Sequence, residues 1–587
     1  MFKHYFEKIW VQNVALFCLL ALVVYYFGFV FEFKYDFHWA ILFEKTQYGF
    51  MSELLLNGLN LTITISIYSA LIALGLGTVF GLARLSNFKP VYWFATCYVE
   101  IFRNTPLLVQ LFFWNFALPY AFPEDIRMQL FELDFEFWIA VVGLGVFTSA
   151  FMAEIIRSGI QSIPKGLLEA SYSSGLTFGQ TLRRIILPLA FREIIPPLGS
   201  EFLNNMKNSS LAQTIGVMEI FWAMTEVTSL TYHWFEALTA ATIIYTLLSL
   251  LIAGIMNLVN AKLKIVPKGQ ETFIRKISDA LFWIFGAIYS RCSRTKRRMA
   301  RKRAASKTLS PTERALKVAW KGMTIAGRGL FVLFLCYLLF MVAKALLGFN
   351  WEIIAKNLRT LVLWRFPNGG DTEFFMGLGG LSSSIIMAVF AISCSFIIGL
   401  FAGMGRTSKY RFFRIPCTIY IELIRANPLV IVLSWMFFTI PVILKIELQA
   451  FWAATWAMTI FFGAYIAEIV RAGIENIPPG QVEAAQSTGL TYFQTMRKII
   501  LPQALKQMLP GLVGLFIAAF KDTSLAYIIG VMELTRAGFA LNNRLMVYPF
   551  EIYTAVAALY FICCFCMSKY AAHLERRLSP EKVRLDM

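Results

Sequence analysis

Twelve apolar runs, most of them long enough to cross a bilayer, limit what this chain can fold into. They lie at about 14–31, 63–82, 93–118, 138–156, 187–215 and 238–259, then at about 330–347, 384–403, 412–441, 451–470, 501–529 and 553–566. A helix of about 20 apolar residues spans the hydrocarbon core. Composition agrees, with 58% of residues hydrophobic and 15% charged, where a soluble domain carries about 25% charged. A water-soluble enzyme and a disordered chain are both excluded. An all-α polytopic membrane protein is expected.

The loops orient it. Much of the formal net charge of +19 lies between Lys262 and Lys321, where 17 Lys and Arg face only Glu271, Asp279 and Glu313. Loops rich in Lys and Arg stay cytoplasmic, so this segment, densest from Arg291 to Lys307, reads as a cytoplasmic loop. It requires no nucleic acid, and anionic membrane lipid is its expected neighbour. The ten apolar residues at 280–289 are too few to span and suit a helix lying at the interface. The first run follows Lys3 and Lys8 without a small-residue cleavage site, as an uncleaved anchor would. Acidic loops at Glu124/Asp125 and at 132–136 fall on the other side. Twelve spans with both termini in the cytoplasm satisfy every loop.

Nine Cys and four His raise the question of metal chemistry. No spacing matches a zinc site, and His4, His38, His233 and His573 are too far apart in sequence to point to ligation. No metal is expected.

Self-comparison divides the chain into two copies. GlyLeuThr at 175–177 recurs at 489–491, IleIleLeuPro at 185–188 recurs at 499–502, and IleGlyValMetGlu at 215–219 recurs at 529–533, all offset by 314. Upstream the offset is 322, pairing Arg84 with Arg406, Glu100 with Glu422, Arg103 with Arg425 and Pro106 with Pro428. The copies therefore differ by eight residues in the acidic loop between the third and fourth runs. Each copy crosses an even number of times, so the halves, about six transmembrane helices each, are parallel repeats about an axis along the membrane normal. A substrate path on that axis is the expectation. The domains read as 1–56 anchor and outer loop, 57–262 first repeat domain, 263–322 basic linker, 323–380 extra helix and outer loop, 381–575 second repeat domain and 576–587 tail.

Three motifs occur twice. After the fourth run stands Glu169-Ala170-Ser171, then Gly175 and a closing Pro188, matched by Glu483-Ala484-Ala485, Gly489 and Pro502. A short helix of small residues ending at a Gly able to turn left-handed can press into a groove on another protein. Four Glu-x-x-Arg pairs, Glu100/Arg103, Glu154/Arg157, Glu422/Arg425 and Glu468/Arg471, place both charges on one helix face where they can pair. A charge inside the bilayer needs a partner or a wet path, so these residues either fix helix packing or meet a zwitterionic substrate. Finally Lys207 to Leu211, with Ser210, matches Lys521 to Leu525, with Ser524. With Pro196 and Pro510 upstream, an unwound or kinked helix lining the path is expected.

The Glu-Ala motif with its Gly and closing Pro resembles the EAA loop of ATP-binding-cassette importer permeases. Residues 98–110, 207–216 and 521–527 are similar to the polar amino acid group of that family, the first half to one subunit of glutamate/aspartate permeases and the second half to the other. The resemblance implies a type I, MetI-like permease core in a bacterial inner membrane, with two normally separate subunits fused. It implies that Glu169, Ala170, Gly175, Glu483, Ala484 and Gly489 form ATPase-coupling loops. It also implies two copies of an ATPase subunit, an extracytoplasmic amino-acid-binding protein and an amino acid substrate. The chain has no phosphate-binding loop of its own, so it is read as a permease rather than an enzyme, without a cofactor, ATP being used by the partner. Glutamate or aspartate is the first substrate choice, with glutamine or a basic amino acid as alternatives. Two departures stand out: Asn104 and Ala426 replace a frequent Gly after the Arg of the third run, and Ser171 replaces Ala. Asn104 joins the substrate-path candidates. An ion-coupled secondary transporter would also use repeats and buried charges, but it gives no reason for two matched EAA loops. A membrane-anchored scaffold is the third reading.

Overall fold

Each apolar run becomes helix, but several are interrupted. The computed structural model describes residues 9–25, 35–46, 49–263, 311–365 and 378–578. The expected interfacial helix at 280–289, and the basic linker from 264 to 310, lie outside the described residues. The first half contains α1 (Ile9–Tyr25), α2 (Met51–Ala83), α3 (Lys89–Asn104), α4 (Leu107–Ala121), α5 (Glu124–Phe131), α6 (Phe135–Gln161), α7 (Lys165–Ser173), α8 (Leu187–Asn208), α9 (Ile220–Thr231) and α10 (Trp234–Leu263). The second contains α11 (Pro311–Gly348), α12 (Trp351–Val362), α13 (Leu381–Thr407), α14 (Arg411–Ala426), α15 (Leu429–Leu444), α16 (Ala450–Glu475), α17 (Pro479–Ser487), α18 (Leu501–Asp522), α19 (Leu534–Leu545) and α20 (Pro549–Leu578). Two short antiparallel ribbons precede α2 and α13, with Lys45 opposite Phe50 and Trp364 opposite Gly379.

Among the described residues, eight helices are long and apolar enough to cross a membrane, or nine if α14 and α15, bent by 110°, count as one span. Twelve spans were expected; the four runs outside these eight are α1, α8 and the two that break at a proline. The run at 93–118 breaks at Thr105 and the run at 412–441 at Asn427, each before a proline. A proline ring pushes the preceding residue out of the helical region, and both residues are extended, at φ −110° and −101°. Elsewhere prolines widen the helix instead of breaking it. The π turns Phe113–Ala117, Leu182–Ile186, Trp435–Thr439 and Met496–Ile500 each stand two residues before a proline, at Pro119, Pro188, Pro441 and Pro502. A residue without N–H cannot close the helical bond to the fourth residue behind it, and the wider turn relieves the clash.

The centre of each half is one helix pair, α2 with α6 and α13 with α16. In α6 and α16, 72% of the apolar window is buried inside the protein, against none of it in α11. Glycines let these pairs approach. A Cβ on Gly77 would stand 2.7 Å from Met152, and one on Gly399 would stand 2.5 Å from Ile466. Small residues at such crossings permit the close backbone approach on which packing in lipid depends. The eight-residue difference between the copies has a structural counterpart: α5 is an eight-residue helix with no equivalent between α15 and α16.

The first helix of each half packs on the other half. On the α1 side, Gln12 accepts from the Arg411 N–H at 2.9 Å and Asn13 accepts from the Arg411 guanidinium at 3.2 Å, at the start of α14. In α11, Phe331 meets Phe94 of α3 at 5.8 Å and Arg328 lies 5.3 Å from the Phe88 ring. The halves also share one apolar core that includes Leu108, Phe112, Leu429 and Leu433.

Replacing Gly399 by Leu should destabilise the purified protein by about 1–3 kcal/mol, the usual cost of overpacking. Gly514→Ala, where a Cβ would meet nothing within 4 Å, should be neutral or slightly stabilising. Thermal unfolding in detergent distinguishes the two.

Candidate functional site

The breaks at Thr105 and Asn427 leave helix-end carbonyls at the centre of the protein without helical partners. Lysines from the opposite half supply them. Lys521 Nζ donates to the Arg103 carbonyl at 2.9 Å, and Lys207 Nζ donates to the Arg425 carbonyl. Both side chains are more than nine-tenths buried. They occupy the last turns of α8 and α18, where the chain tightens into the 3-10 turns Ser209–Ile215 and Thr523–Ile529. The helices are therefore not unwound here, as expected from the sequence, but overwound. Pro196, Pro197 and Pro510 remain inside continuous helix. Ser210 returns its hydroxyl to the Lys207 carbonyl at 2.6 Å.

These turns enclose a cavity of about 310 Å³ between the halves. Its walls include Phe151, Glu201, Asn204, Lys207, Asn208 and Ser210 from the first half, and Tyr465, Leu515, Ala518, Lys521, Asp522 and Ser524 from the second. Lys207, Ser210, Lys521 and Ser524 were singled out from the sequence. Glu201 was not: it lies inside an amphipathic stretch, and only its mismatch with Leu515 across the repeat marks it.

The Glu-x-x-Arg residues sit beside the cavity in two matched clusters. Glu154 pairs with Arg84 and Arg157 and lies 4.0 Å from Arg103. Glu468 pairs with Arg471 at 2.5 Å, Arg406 at 3.1 Å and Arg425 at 3.5 Å. Two of the four same-helix pairs thus form and two do not. Glu422, 58% exposed, turns to Arg406 at 2.6 Å, and the Glu100 carboxylate accepts from the Asn104 amide at 3.0 Å. Arg103 and Arg425 are in the last turn of short helices, so their guanidinium groups reach across to α6 and α16. There they lie 5.5 Å from the Phe151 ring and 5.4 Å from the Tyr465 ring, both of which line the cavity. Asn104 also accepts from Ser568 of α20 at 3.2 Å, joining the halves rather than facing the cavity.

At one end of the protein α7 and α17 stand out as short exposed helices. Glu169, Ala170, Glu483 and Ala484 are exposed, while Ser171 and Ala485 are buried. Gly175 and Gly489 take φ of +75° and +80°, and their N–H groups close on the Tyr172 and Gln486 carbonyls at 2.9 Å. A left-handed glycine ending a helix in this way turns the chain sharply. Phe178 and Phe493, just beyond, are 65% and 71% exposed.

Two further features were not foreseen. The last residue of the IleGlyValMetGlu repeat is a fully buried carboxylate in both halves. Glu219 accepts from the Trp222 N–H at 3.0 Å and from Tyr245 at 2.7 Å; Glu533 accepts from Arg536 N–H and Tyr560, both at 2.8 Å. Each caps a helix start and ties it to the last helix of its half. His38 and His233, distant in sequence, have ring centroids 5.5 Å apart. Nearby, Glu236 accepts from the His38 N–H at 2.6 Å and from the Tyr35 hydroxyl. Burial, then this carboxylate, push the Tyr35 hydroxyl pKa upward. Among the described residues no group of three or more His, Cys, Asp or Glu could hold a metal ion.

Comparison with known proteins gives consistent matches. The family described as binding-protein-dependent transport system inner membrane component is matched twice, over residues 72–265 and 395–580, together more than half of the chain. The chain is similar to the glutamate/aspartate import permease protein GltJ of Escherichia coli strain K12, 36% identical over 236 residues that cover 39% of this chain and 96% of the relative. It is also similar to the arginine transport system permease protein ArtQ of Bacillus subtilis strain 168, 36% identical over 36% of this chain and 92% of that protein. A solved structure, "Crystal structure of an amino acid ABC transporter with histidines", aligns at 35% identity with a TM-score of 0.32, covering 34% of this chain and 92% of that one.

The departure at Ser171 has a measurable consequence. Its hydroxyl meets Thr181 at 3.1 Å, whereas Ala485 leaves the buried Thr495 hydroxyl unpartnered. Ser171→Ala should cost about 1 kcal/mol and Ala485→Ser should gain about as much. The pair is read by thermal unfolding.

Proposed function

The chain belongs to the family of binding-protein-dependent transport system inner membrane components, and on that premise we propose that its two fused permease units carry acidic amino acids, glutamate or aspartate, across the bacterial inner membrane. The chain is an amino acid permease component of an ATP-binding-cassette importer, a transport component and not itself an enzyme. The observation that carries the choice of acidic substrates is electrostatic. On one flank of the cavity three guanidinium groups surround the single carboxylate Glu154, whereas on the other Glu468 meets three guanidinium groups of which Arg406 also meets Glu422 and Arg471 also meets Glu475. Lys207 and Lys521 add two cations to its wall, against Glu201 and Asp522. A low-dielectric chamber with surplus positive charge favours an anionic solute.

The two exposed helices α7 and α17 are the docking points for two copies of an ATPase subunit on the cytoplasmic side, with both termini on that side. Their small residues and exposed carboxylates fit a groove, and the left-handed glycines fix their angle to the bundle. A binding protein delivers the amino acid at the opposite face. ATPase closure moves α7 and α17 together, the halves rock about the cavity, and the substrate passes inward when the motor resets.

Labelled glutamate uptake by cells holding this chain, its ATPase and its binding protein tests the reading. Aspartate should compete and an ATPase-dead partner should abolish uptake. Competition by glutamine or arginine alone would replace the substrate and keep the mechanism. Replacing both Glu169 and Glu483 by Lys should cut uptake at least 10-fold while the permease remains folded in the membrane; undiminished uptake removes α7 and α17 from their coupling role.

A further inference from the structure

A second cavity, of about 320 Å³, shares no residue with the central one. Its walls come from the corner between α13 and α14, with Met404 and Phe413, and from the segment that joins α17 to α18, with Phe493, Met496, Arg497 and Leu501. The membrane-crossing helix α13 stops at Thr407, and the span that carries α18 starts at Tyr492. The cavity therefore opens where two spans meet the membrane surface, on the same side as α17. Its lining is mostly apolar and its surroundings are basic. Ser408 accepts from the Tyr410 N–H at 3.2 Å, which leaves Arg497 as the charged group in the wall. Among the described residues Arg497 has no ion-pair partner within 4.0 Å. Lys409, Arg411, Arg414 and Lys498 stand close to wall residues in the chain, and no Asp or Glu occurs from 404 to 414 or from 492 to 501. Phe413 and Phe493 are 55% and 71% exposed, so aromatic surface continues from the cavity to its rim. The first half lacks both rings, with Val91 and Gly179 at the matching positions.

We propose that this cavity holds one anionic phospholipid of the leaflet on the α17 side, an acyl chain against Met404, Phe413, Phe493 and Leu501 and its phosphate on Arg497. The charge argues for the occupant. A basic pocket between membrane helices on the cytoplasmic side recognises anionic headgroups, and a guanidinium pairs with phosphate through two parallel N–H bonds. The shape agrees: the volume is at the small end of ligand cavities, about 300–1,000 Å³, which suits a stretch of one acyl chain with the headgroup left at the rim. One wall is the α13–α14 corner and the other is the exit from α17. A lipid seated between them braces α17 against the bundle in the second half, where the first half has no matching rings. The bracing rests on the coupling role read above for α17; the binding does not.

Native mass spectrometry of the purified full chain, titrated in detergent with phosphatidylglycerol or phosphatidylcholine of the same acyl chains, tests the site. One phosphatidylglycerol should be retained about 5-fold more tightly than phosphatidylcholine, the worth of one well-placed basic residue. Arg497→Gln should remove that preference. Phe493→Gly, which installs the residue of the first half, should weaken both lipids. Arg183→Gln, at the position matching Arg497, should leave retention unchanged and controls for surface charge. Equal retention of the two lipids by the wild-type chain overturns the proposal, as does an equal loss in Arg183→Gln and Arg497→Gln. Phosphatidylglycerol retained only after residues 1–8 are removed also overturns it, since the occupant is then the chain's own N-terminus, which leads into Gln12 and Asn13 at the start of α14. For the bracing, ATPase activity of the permease–ATPase complex in nanodiscs should rise when phosphatidylglycerol replaces phosphatidylcholine, and Phe493→Gly should lose that rise; a rise that survives the change overturns the bracing. Neither measurement involves the amino acid, so failure here leaves the acidic substrate standing, and the Glu169 and Glu483 exchange above judges the coupling role by itself.

Discussion

A lysine ammonium donating to a backbone carbonyl of the other half is the interaction on which the centre of this protein depends. Inside a bilayer no water satisfies a freed carbonyl, and each orphan costs several kcal/mol. The prolines at 106 and 428 free such carbonyls where α3 and α14 end. Lys521 and Lys207 supply donors from across the axis. The same two contacts therefore close the helix ends, hold the halves in register and bring charge into the cavity. An apolar residue at either position would leave a buried carbonyl without its donor.

The architecture was legible in the sequence because it rests on periodicities: apolar runs of bilayer length, loop charge, and a self-match at two constant offsets. The loop-length difference even marked the site of α5. Partnerships between helices were not legible. A spacing of three puts Glu100 and Arg103 on one face but is silent about Glu154, which lies nearer to the guanidinium from another helix. His38 and His233 were set apart by sequence distance and brought together by the fold. Glu219 and Glu533 were visible only as letters in a repeat, since nothing local reveals that a tyrosine from the last helix will meet them. Hydropathy also sums across a proline, so the breaks at Thr105 and Asn427 were not legible as the ends of helices.

Symmetry holds in the scaffold and fails in selected side chains. The glycine crossings, π turns, left-handed caps and buried glutamates occur twice. The polar cluster of Thr148, Asn205 and Ser69 in the first half, linked at 3.0 and 2.7 Å, is apolar in the second, where Phe462, Ala519 and Ala391 stand at the matching positions. Backbone constraints are shared by any two copies that must enclose a path. Side chains that meet a solute with no symmetry of its own are under no such constraint, and two copies joined in one chain are free to divide the contacts between them.

The exchange of first helices sets a timetable for the ribosome. Gln12 and its partner Arg411 are 399 residues apart, so at about 5–20 residues per second α1 waits in lipid for roughly 20–80 s before its docking face is made. The first half is likewise unfinished until α11 emerges from the far side of the basic segment. Neither half completes its own surface, and a ribosome that stalls between them leaves a fragment whose α3 flank faces lipid uncovered. Joining the halves ensures that the missing cover arrives on the same chain, in fixed ratio, without a search through the membrane.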